Sequence, residues 1–474
     1  MKYCIAVSLS FVPIIFASCT MVGPNYVVPV IETPNQWAHA NEAAFSVVPS
    51  QDLSQWWSIL GDDTLSSLIK ESLQNSPDIH TAQAKLREAR ARRDLSGSNR
   101  FPTLNASFAG SRTRTSSKVG SGNSSNLFDA GFDAAWEPDV FGGLRRGQQA
   151  ADADLMAASA DLHNTQVSLA AEVALNYIEY RLFQQRLAIA ERNLATQAET
   201  LQITVWREQA GLVTTLEVDQ AKTNLEQTRA TIPSLKTNLI EAENRLAILQ
   251  GKAPASLNLL LAKTASLPAI PYQLAINIPA ETLRQRPDVK AAEQRVIAET
   301  ARIGQQTANL YPSFSLSGSF GWKALTLGSL GSAGTVASSL VASVTQTIFD
   351  AGRIRNQINI QTAVQEQAVS VYEKTVLTAL EDVENTLAAY ANNRERQLSL
   401  ASAVVTSRSA AQLARQRFEN GLVDFNVVLD TERTLLSTED SLANTEAEGL
   451  TSLIGLYKAM GGGWKDAPIV TQAK

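Results

Sequence analysis

The chain has only two cysteines and three histidines in 474 residues. That is too few for a disulfide-dense scaffold or a four-cysteine zinc site. With 41 Lys+Arg against 46 Asp+Glu, the formal net charge of −5 leaves no basic footprint for nucleic acid. No apolar stretch reaches the roughly 20 residues that carry a helix across a bilayer. Aromatics make up 6% of the chain, while Ala, Leu, Gln, Glu, Thr and Ser abound, which suits long helices better than stacked globular cores. Catalytic constellations are missing too: His39, His80 and His163 stand alone, no Cys-x-x-Cys occurs, and Gly461-Gly462-Gly463 lacks the Lys-Ser/Thr of a phosphate loop. Four methionines form no cluster with histidine, so neither cofactor, metal nor enzymatic activity is expected.

Both cysteines fall within the first 19 residues, beside the most apolar segment of the chain. Lys2, the run Ile5 to Phe16 and the small residues after it describe a secretory leader over 1–18. Phe16-Ala17-Ser18-Cys19 resembles a bacterial lipobox, with Phe in place of the usual Leu, which implies cleavage before Cys19 and diacylation of its thiol. An ordinary signal peptide with Cys19 near the cut is the other reading. By analogy with bacterial lipoproteins, Thr20 in place of Asp directs the anchor to the outer membrane.

A long internal repeat runs through the rest. Pro77-Asp78 recurs as Pro287-Asp288, Pro102 as Pro312, and Arg207-x-x-x-Gly211-Leu212-Val213 as Arg417-x-x-x-Gly421-Leu422-Val423, all at one shift of 210 residues. Within each half the apolar period changes in the same order. Phe128, Phe132 and Trp136 alternate with Asp129, Gly131 and Asp133, and Phe314, Leu316, Phe320 and Trp322 alternate with serines; both read as strands. Thr103–Thr115 and Leu340–Ile348 supply a second strand to each half, joined by Ser/Gly-rich connections at Lys118–Asn126 and Lys323–Thr335.

The stretches Gln148–Ala210 and Arg353–Asn420 contain neither Gly nor Pro and predict helices of about 100 Å at ~1.5 Å per residue. A heptad seam through Leu155, Leu162, Leu169, Asn176 and Phe183 marks the first as a packed helix. Each ends at a Gly-Leu-Val turn and returns as a second helix, the first of which should kink at Pro233. The expected fold is mainly α with a small β part, an internally duplicated helix–strand–strand–helix module. Its divisions are the leader 1–18, a lipidated segment 19–70, a first repeat 71–250 (strands in 103–136, tip 211–214), a linker 251–280, a second repeat 281–460 (strands in 313–349, tip 421–424) and a tail 461–474.

Strands apolar on one face and lined with Ser, Gly and Asp on the other are the pattern of a transmembrane barrel. Four strands cannot close one, and open edges in hydrocarbon leave backbone groups unpaired at several kcal/mol each, so closure must come from neighbouring chains. A soluble sheet with one face on a core is the competing reading.

Trp56-Trp57, Gly61-Asp62, Asn75-x-Pro77-Asp78, Arg286-Pro287-Asp288-Val289, Tyr311-Pro312-Ser313, Phe349-Asp350-x-Gly352-Arg353 and Gly421-Leu422-Val423-Asp424-Phe425 together resemble the outer-membrane factors of bacterial efflux systems, the TolC/OprM/NodT type. Val22-Gly23-Pro24-Asn25-Tyr26 after Cys19 points to its lipoprotein branch. The resemblance implies a homotrimer with a twelve-stranded outer-membrane barrel on a periplasmic helical barrel, ringed by an equatorial collar built from the linker and terminal segments, on which segment 19–70 packs. It also implies a periplasmic adaptor (membrane fusion) protein and an inner-membrane pump, commonly of the resistance-nodulation-division class, as partners. A passive duct for drugs or other small molecules follows. A type I protein-secretion exit duct would share nearly all these residues, and a structural coiled-coil lipoprotein would explain the heptads but not the strands.

Carried over residue by residue, Gly211, Leu212, Val213 and Thr214 and the duplicates Gly421, Leu422, Val423 and Asp424 are the tip positions that dock the adaptor, although a helix stop alone also explains both glycines. Asp424 is the gate candidate, because three copies near a threefold axis would repel; the alternative is an N-cap of the return helix. Some relatives carry that carboxylate one position earlier, where this chain has Val423. Asp129 and Asp133 are lumen-lining candidates that either bias the pore towards cations or merely wet its wall. Arg207 and Arg417 suit helix C-termini, with salt links between hairpins a further option.

Overall fold

A computed structural model describes residues 21–39, 45–48, 52–270, 274–277 and 279–464; the leader and Cys19 lie outside the described residues. The duplication is written in the element lengths. Helices α2 (Pro77–Ser98), α3 (Gly143–Gln209) and α4 (Thr215–Leu249) have 22, 67 and 35 residues, and so do α7 (Pro287–Ala308), α8 (Arg353–Glu419) and α9 (Phe425–Ala459). Each pair starts 210 residues apart. Proline opens α2 and α7, where its missing N–H would have had no helical partner anyway. Helix α1 (Asp63–Asn75) is capped by Asp62, whose carboxylate accepts the Leu65 N–H at 2.9 Å. Short helices α5 (Asn258–Leu261) and α6 (Pro279–Gln285) complete the set, and α4 runs unbroken through Pro233.

Strands β2 (Thr103–Arg114), β3 (Ser124–Trp136), β5 (Ser313–Ala324) and β6 (Val336–Thr345) form one antiparallel sheet in the order β2-β3-β5-β6. The last strand starts earlier than the alternation suggested and stops at Thr345, leaving Ile348 and Phe349 exposed beyond its end. Two short strands were not legible: β1 (Phe45–Val48) pairs in parallel with β4 (Leu274–Asn277), inside the segment expected to be a plain linker.

The chain divides into two compact units assembled from separate segments. One contains the four-stranded sheet and the parts of α2, α3, α7 and α8 nearest to it in sequence. Here residues 22–26 are strapped down: the buried Arg146 guanidinium donates to the Val22 and Gly23 carbonyls and to Asn25 Oδ1, and Tyr26 donates to Glu293. Gly23, at φ +86°, passes so close to Gly304 that a Cβ would lie 2.4 Å from its Cα.

The other unit holds the main core, in which Leu65, Leu68, Ile69, Tyr177, Leu246, Ile454 and Tyr457 are buried. Trp56 stacks on Tyr457 at 5.3 Å and meets Trp57 edge-on. Arg286, also buried, donates to Asp288, to Asp382 on α8 and to the Ala459 carbonyl at the end of α9, so the Arg-Pro-Asp motif is a structural knot. A second buried network runs from Asp62 through Tyr177 to Arg181, Gln184 and the Lys263 carbonyl. Burial beside Asp62 pushes the Tyr177 phenol up to about 12, so it donates at every physiological pH.

Candidate functional site

The sheet has two chemically distinct faces, set by strand alternation and cross-strand register. One face carries Leu104, Ala106 and Phe108 of β2, Phe128, Phe132 and Trp136 of β3, Phe314, Leu316, Phe320 and Trp322 of β5, and Leu340 and Val344 of β6. Phe132 lies opposite Phe320, and Phe320 meets Trp322 edge-on at 6.0 Å. The apolar series on β5 extends from Phe314 to Ala324, which at ~3.3 Å per residue and a tilt near ~40° spans about 25 Å, the height of a barrel's lipid-facing band. Many of these side chains are exposed in the single chain, so nothing among the described residues covers them.

The opposite face is polar. Ser315 bonds Ser343 at 2.6 Å, Ser319 bonds Ser339 at 2.8 Å, and Ser107 donates to Asp133 at 3.1 Å. Asp129 sits opposite Lys323 in the register and pairs with its Nζ at 3.0 Å. That partner was missed from the sequence, where Lys323 reads as the start of a loop, and it neutralises one of the two carboxylates expected to bias the pore. Asp133 lies opposite Asn105 and Ser319 in the register.

Both hairpins end in the same turn. Gly211 and Gly421 adopt φ +69° and +72°, a region open to glycine at no steric cost, and Leu212 and Leu422 return hydrogen bonds to the Arg207 and Arg417 carbonyls at 2.8 Å. Leu212 and Leu422 project into solvent, whereas Val213 and Val423 pack against one shared cluster of Ala414, Phe418, Phe425, Val428 and Leu429. The turns differ in their last residue. At the first tip the Thr214 N–H donates to Glu217 Oε2 at 3.0 Å and its hydroxyl bonds the same carboxylate, holding that carboxyl below its usual range. Asp424 occupies the matching N-cap position but its exposed carboxylate makes no cap hydrogen bond.

The arginines before the turns are also unequal. Arg207 reaches across to α8, donating to the Phe418 and Glu419 carbonyls with its guanidinium 4.6 Å from the Phe418 ring centroid. It thus caps its neighbour's C-terminus and makes no salt link; Arg417 has no ion pair among the described residues. Above the tips, buried Glu432 of α9 accepts from Thr200 at 2.8 Å, and Glu439 is met by Asn193 and Arg408. Burial raises the Glu432 carboxyl above its ordinary value, with Thr200 and Arg415 pulling the other way. No helix is long and apolar enough to cross a membrane, and no group of His, Cys, Asp or Glu could hold a metal, among the described residues.

A duplicated chain of long helical hairpins carrying a two-faced sheet of this height has the architecture of an outer-membrane channel. The model of the outer membrane efflux protein family matches residues 68–252 and 278–462, two spans at the same 210-residue shift, and the chain belongs to that family. It is 31% identical over 451 residues to the pyoverdine export outer membrane protein OpmQ of Pseudomonas putida, covering 92% of this chain and 94% of that one. It is 27% identical to the cation efflux system protein CusC of Escherichia coli over 98% of each chain. The solved structure of the outer-membrane channel OprN superposes with a TM-score of 0.88 at 37% identity, over 94% of this chain and 99% of that one. The protein is therefore the outer-membrane channel component of an efflux system, a transport duct.

Proposed function

We propose that three copies of the chain close their sheets into a twelve-stranded barrel, and that this duct passes drugs or other small molecules handed over by a periplasmic adaptor and an inner-membrane pump of the resistance-nodulation-division class. The observation that carries the reading is the four-stranded sheet, with a bilayer-high apolar face and two unpartnered edges at β2 and β6. In hydrocarbon those edges require strands from other chains, and three chains give a closed barrel of ordinary size. The duct is passive, energy coming from the pump. Relatives of similar identity are named for pyoverdine, for cations and for toluene, so likeness of the duct does not select a cargo.

The tips Gly211–Thr214 and Gly421–Val423 dock the adaptor through the exposed Leu212 and Leu422, and Asp424 is the gate carboxylate. In support, Asp424 has no capping bond to occupy it. Asp129 and Asp133 line the lumen, with the Lys323 pair leaving one net negative charge per chain in that stretch. Diacylated Cys19 anchors the chain in the outer membrane. Deleting the gene should raise drug susceptibility and intracellular accumulation, and crosslinking at the tips should trap an adaptor. Unchanged susceptibility together with a secreted protein retained in the cell would favour a protein-secretion duct instead.

A further inference from the structure

The outward face of β2 changes character along its length. Leu104, Ala106 and Phe108 continue into Gly110, whose missing Cβ would meet the Phe128 ring at 3.3 Å, which fixes this as the apolar face. The next two residues on the same face are Arg112 and Arg114, opposite Asn126 and Ser124. They stand one and two rows beyond the last apolar row, Gly110/Phe128/Ala324, hence about 5 and 10 Å past the hydrocarbon band at ~3.3 Å rise per residue and ~40° tilt. The helices join the strands at the other end, through Ser98, Gly143, Ala308 and Arg353, so the arginine end is the extracellular one.

Both guanidiniums are exposed and make no hydrogen bond or ion pair among the described residues. Nothing nearby in sequence balances them: from Gly110 to Phe128 the only charged residues are Arg112, Arg114 and Lys118, and from Ala324 to Thr347 there is none. The single carboxylate close to this end, Asp129, is on the opposite face and already paired with Lys323. Two unpaired arginines on a lipid-facing strand, at headgroup depth on the outer side, form a receptor for phosphate.

We propose that Arg112 and Arg114, with Lys118 above them, bind the phosphate groups of the phosphorylated glycolipid that forms the outer leaflet. The inference rests on the membrane placement of the sheet, and concerns a lipid contact that channel function does not require. Arginine matches a phosphate with two parallel N–H donors, and spacing at i and i+2 places two such forks side by side on one strand face. The lipid would thereby be fixed over β2, an edge strand whose pairing completes the barrel.

The test uses the full-length lipidated protein in phospholipid nanodiscs, with bisphosphorylated lipid A as the probe and its dephosphorylated form as competitor, retained lipid being counted by native mass spectrometry. Wild type should retain lipid A, the R112Q/R114Q variant should retain it roughly ten- to thirtyfold more weakly, and R112K/R114K, which keeps the charge but loses both forks, should fall between the two. Equal retention by R112Q/R114Q, or equal competition by the dephosphorylated form, would overturn the proposal. If R112Q/R114Q does not assemble, the competition on wild-type protein alone still decides. Channels that conduct but show no phosphate-dependent retention would sink this inference and leave the duct reading standing.

Discussion

The two hairpin tips are copies of one turn with different endings. Gly211 and Gly421 share a backbone conformation, Leu212 and Leu422 share a return hydrogen bond, and Val213 and Val423 share a hydrophobic cluster. Yet Thr214 is tied to Glu217 in a capping box, while Asp424 leaves its carboxylate unbonded at the same N-cap position. The duplication thus kept the geometry that stops and reverses the helices and varied the one polar group that the turn does not need. A residue that structure alone does not occupy is the place to look for function.

The largest effect should come from breaking the cluster that the tips share. Phe418→Ala removes a ring that packs on Phe425 at 5.6 Å and under Arg207, and should cost about 3–5 kcal/mol locally. Limited proteolysis should then open both turns together; cleavage at the second tip alone would show that the two are independent. Next, Gly211→Ala and Gly421→Ala should each cost roughly 1–2 kcal/mol through left-handed backbone strain. Neither Cβ would clash, since one on Gly421 would lie 3.6 Å from an Arg207 nitrogen and one on Gly211 would have nothing within 4 Å, so the two losses should be equal by hydrogen exchange.

The capping difference is smaller and sharper. Thr214→Ala should destabilise the start of α4 by about 1 kcal/mol, whereas Asp424→Ala should change α9 by about 0.5 kcal/mol or less, since it removes only a screened dipole term. Amide exchange over the first turn of each helix checks this, and equal losses would mean that Asp424 is a cap after all. Smaller still is a pH effect above the second tip. Because burial raises the Glu432 carboxyl, the folded state binds its proton more tightly than the unfolded chain does. Its contribution is therefore fully present in acid and lost as pH rises through the folded value. Glu432→Gln should melt higher than wild type at pH 8, with the gap closing towards pH ~4.3.

What the sequence made legible follows from periodicity and punctuation. The long helices could be bounded because Gly and Pro are absent between Gly147 and Gly211 and between Gly352 and Gly421, and the strands because one face alternates. Interactions that depend on register or on distant pairing were out of reach. Lys323 meets Asp129 only once β3 and β5 are aligned, and Arg207 meets the Phe418 carbonyl only when two hairpins lie together. β1 and β4 are four residues each, too short to show alternation, and more than two hundred residues apart in the chain. The Arg286 motif was visible as a pattern, but its partners Asp382 and Ala459 were not.

Single-channel recording of the full-length protein in planar bilayers, beside Asp424→Ala at equal assembly, is the most direct test that this is a duct closed at its second tip. Discrete channels are expected for both, with higher conductance and greater leak to large antibiotics in the variant. Identical conductance would return Asp424 to the role of a turn residue, and the absence of any channel in either protein would contradict the duct itself.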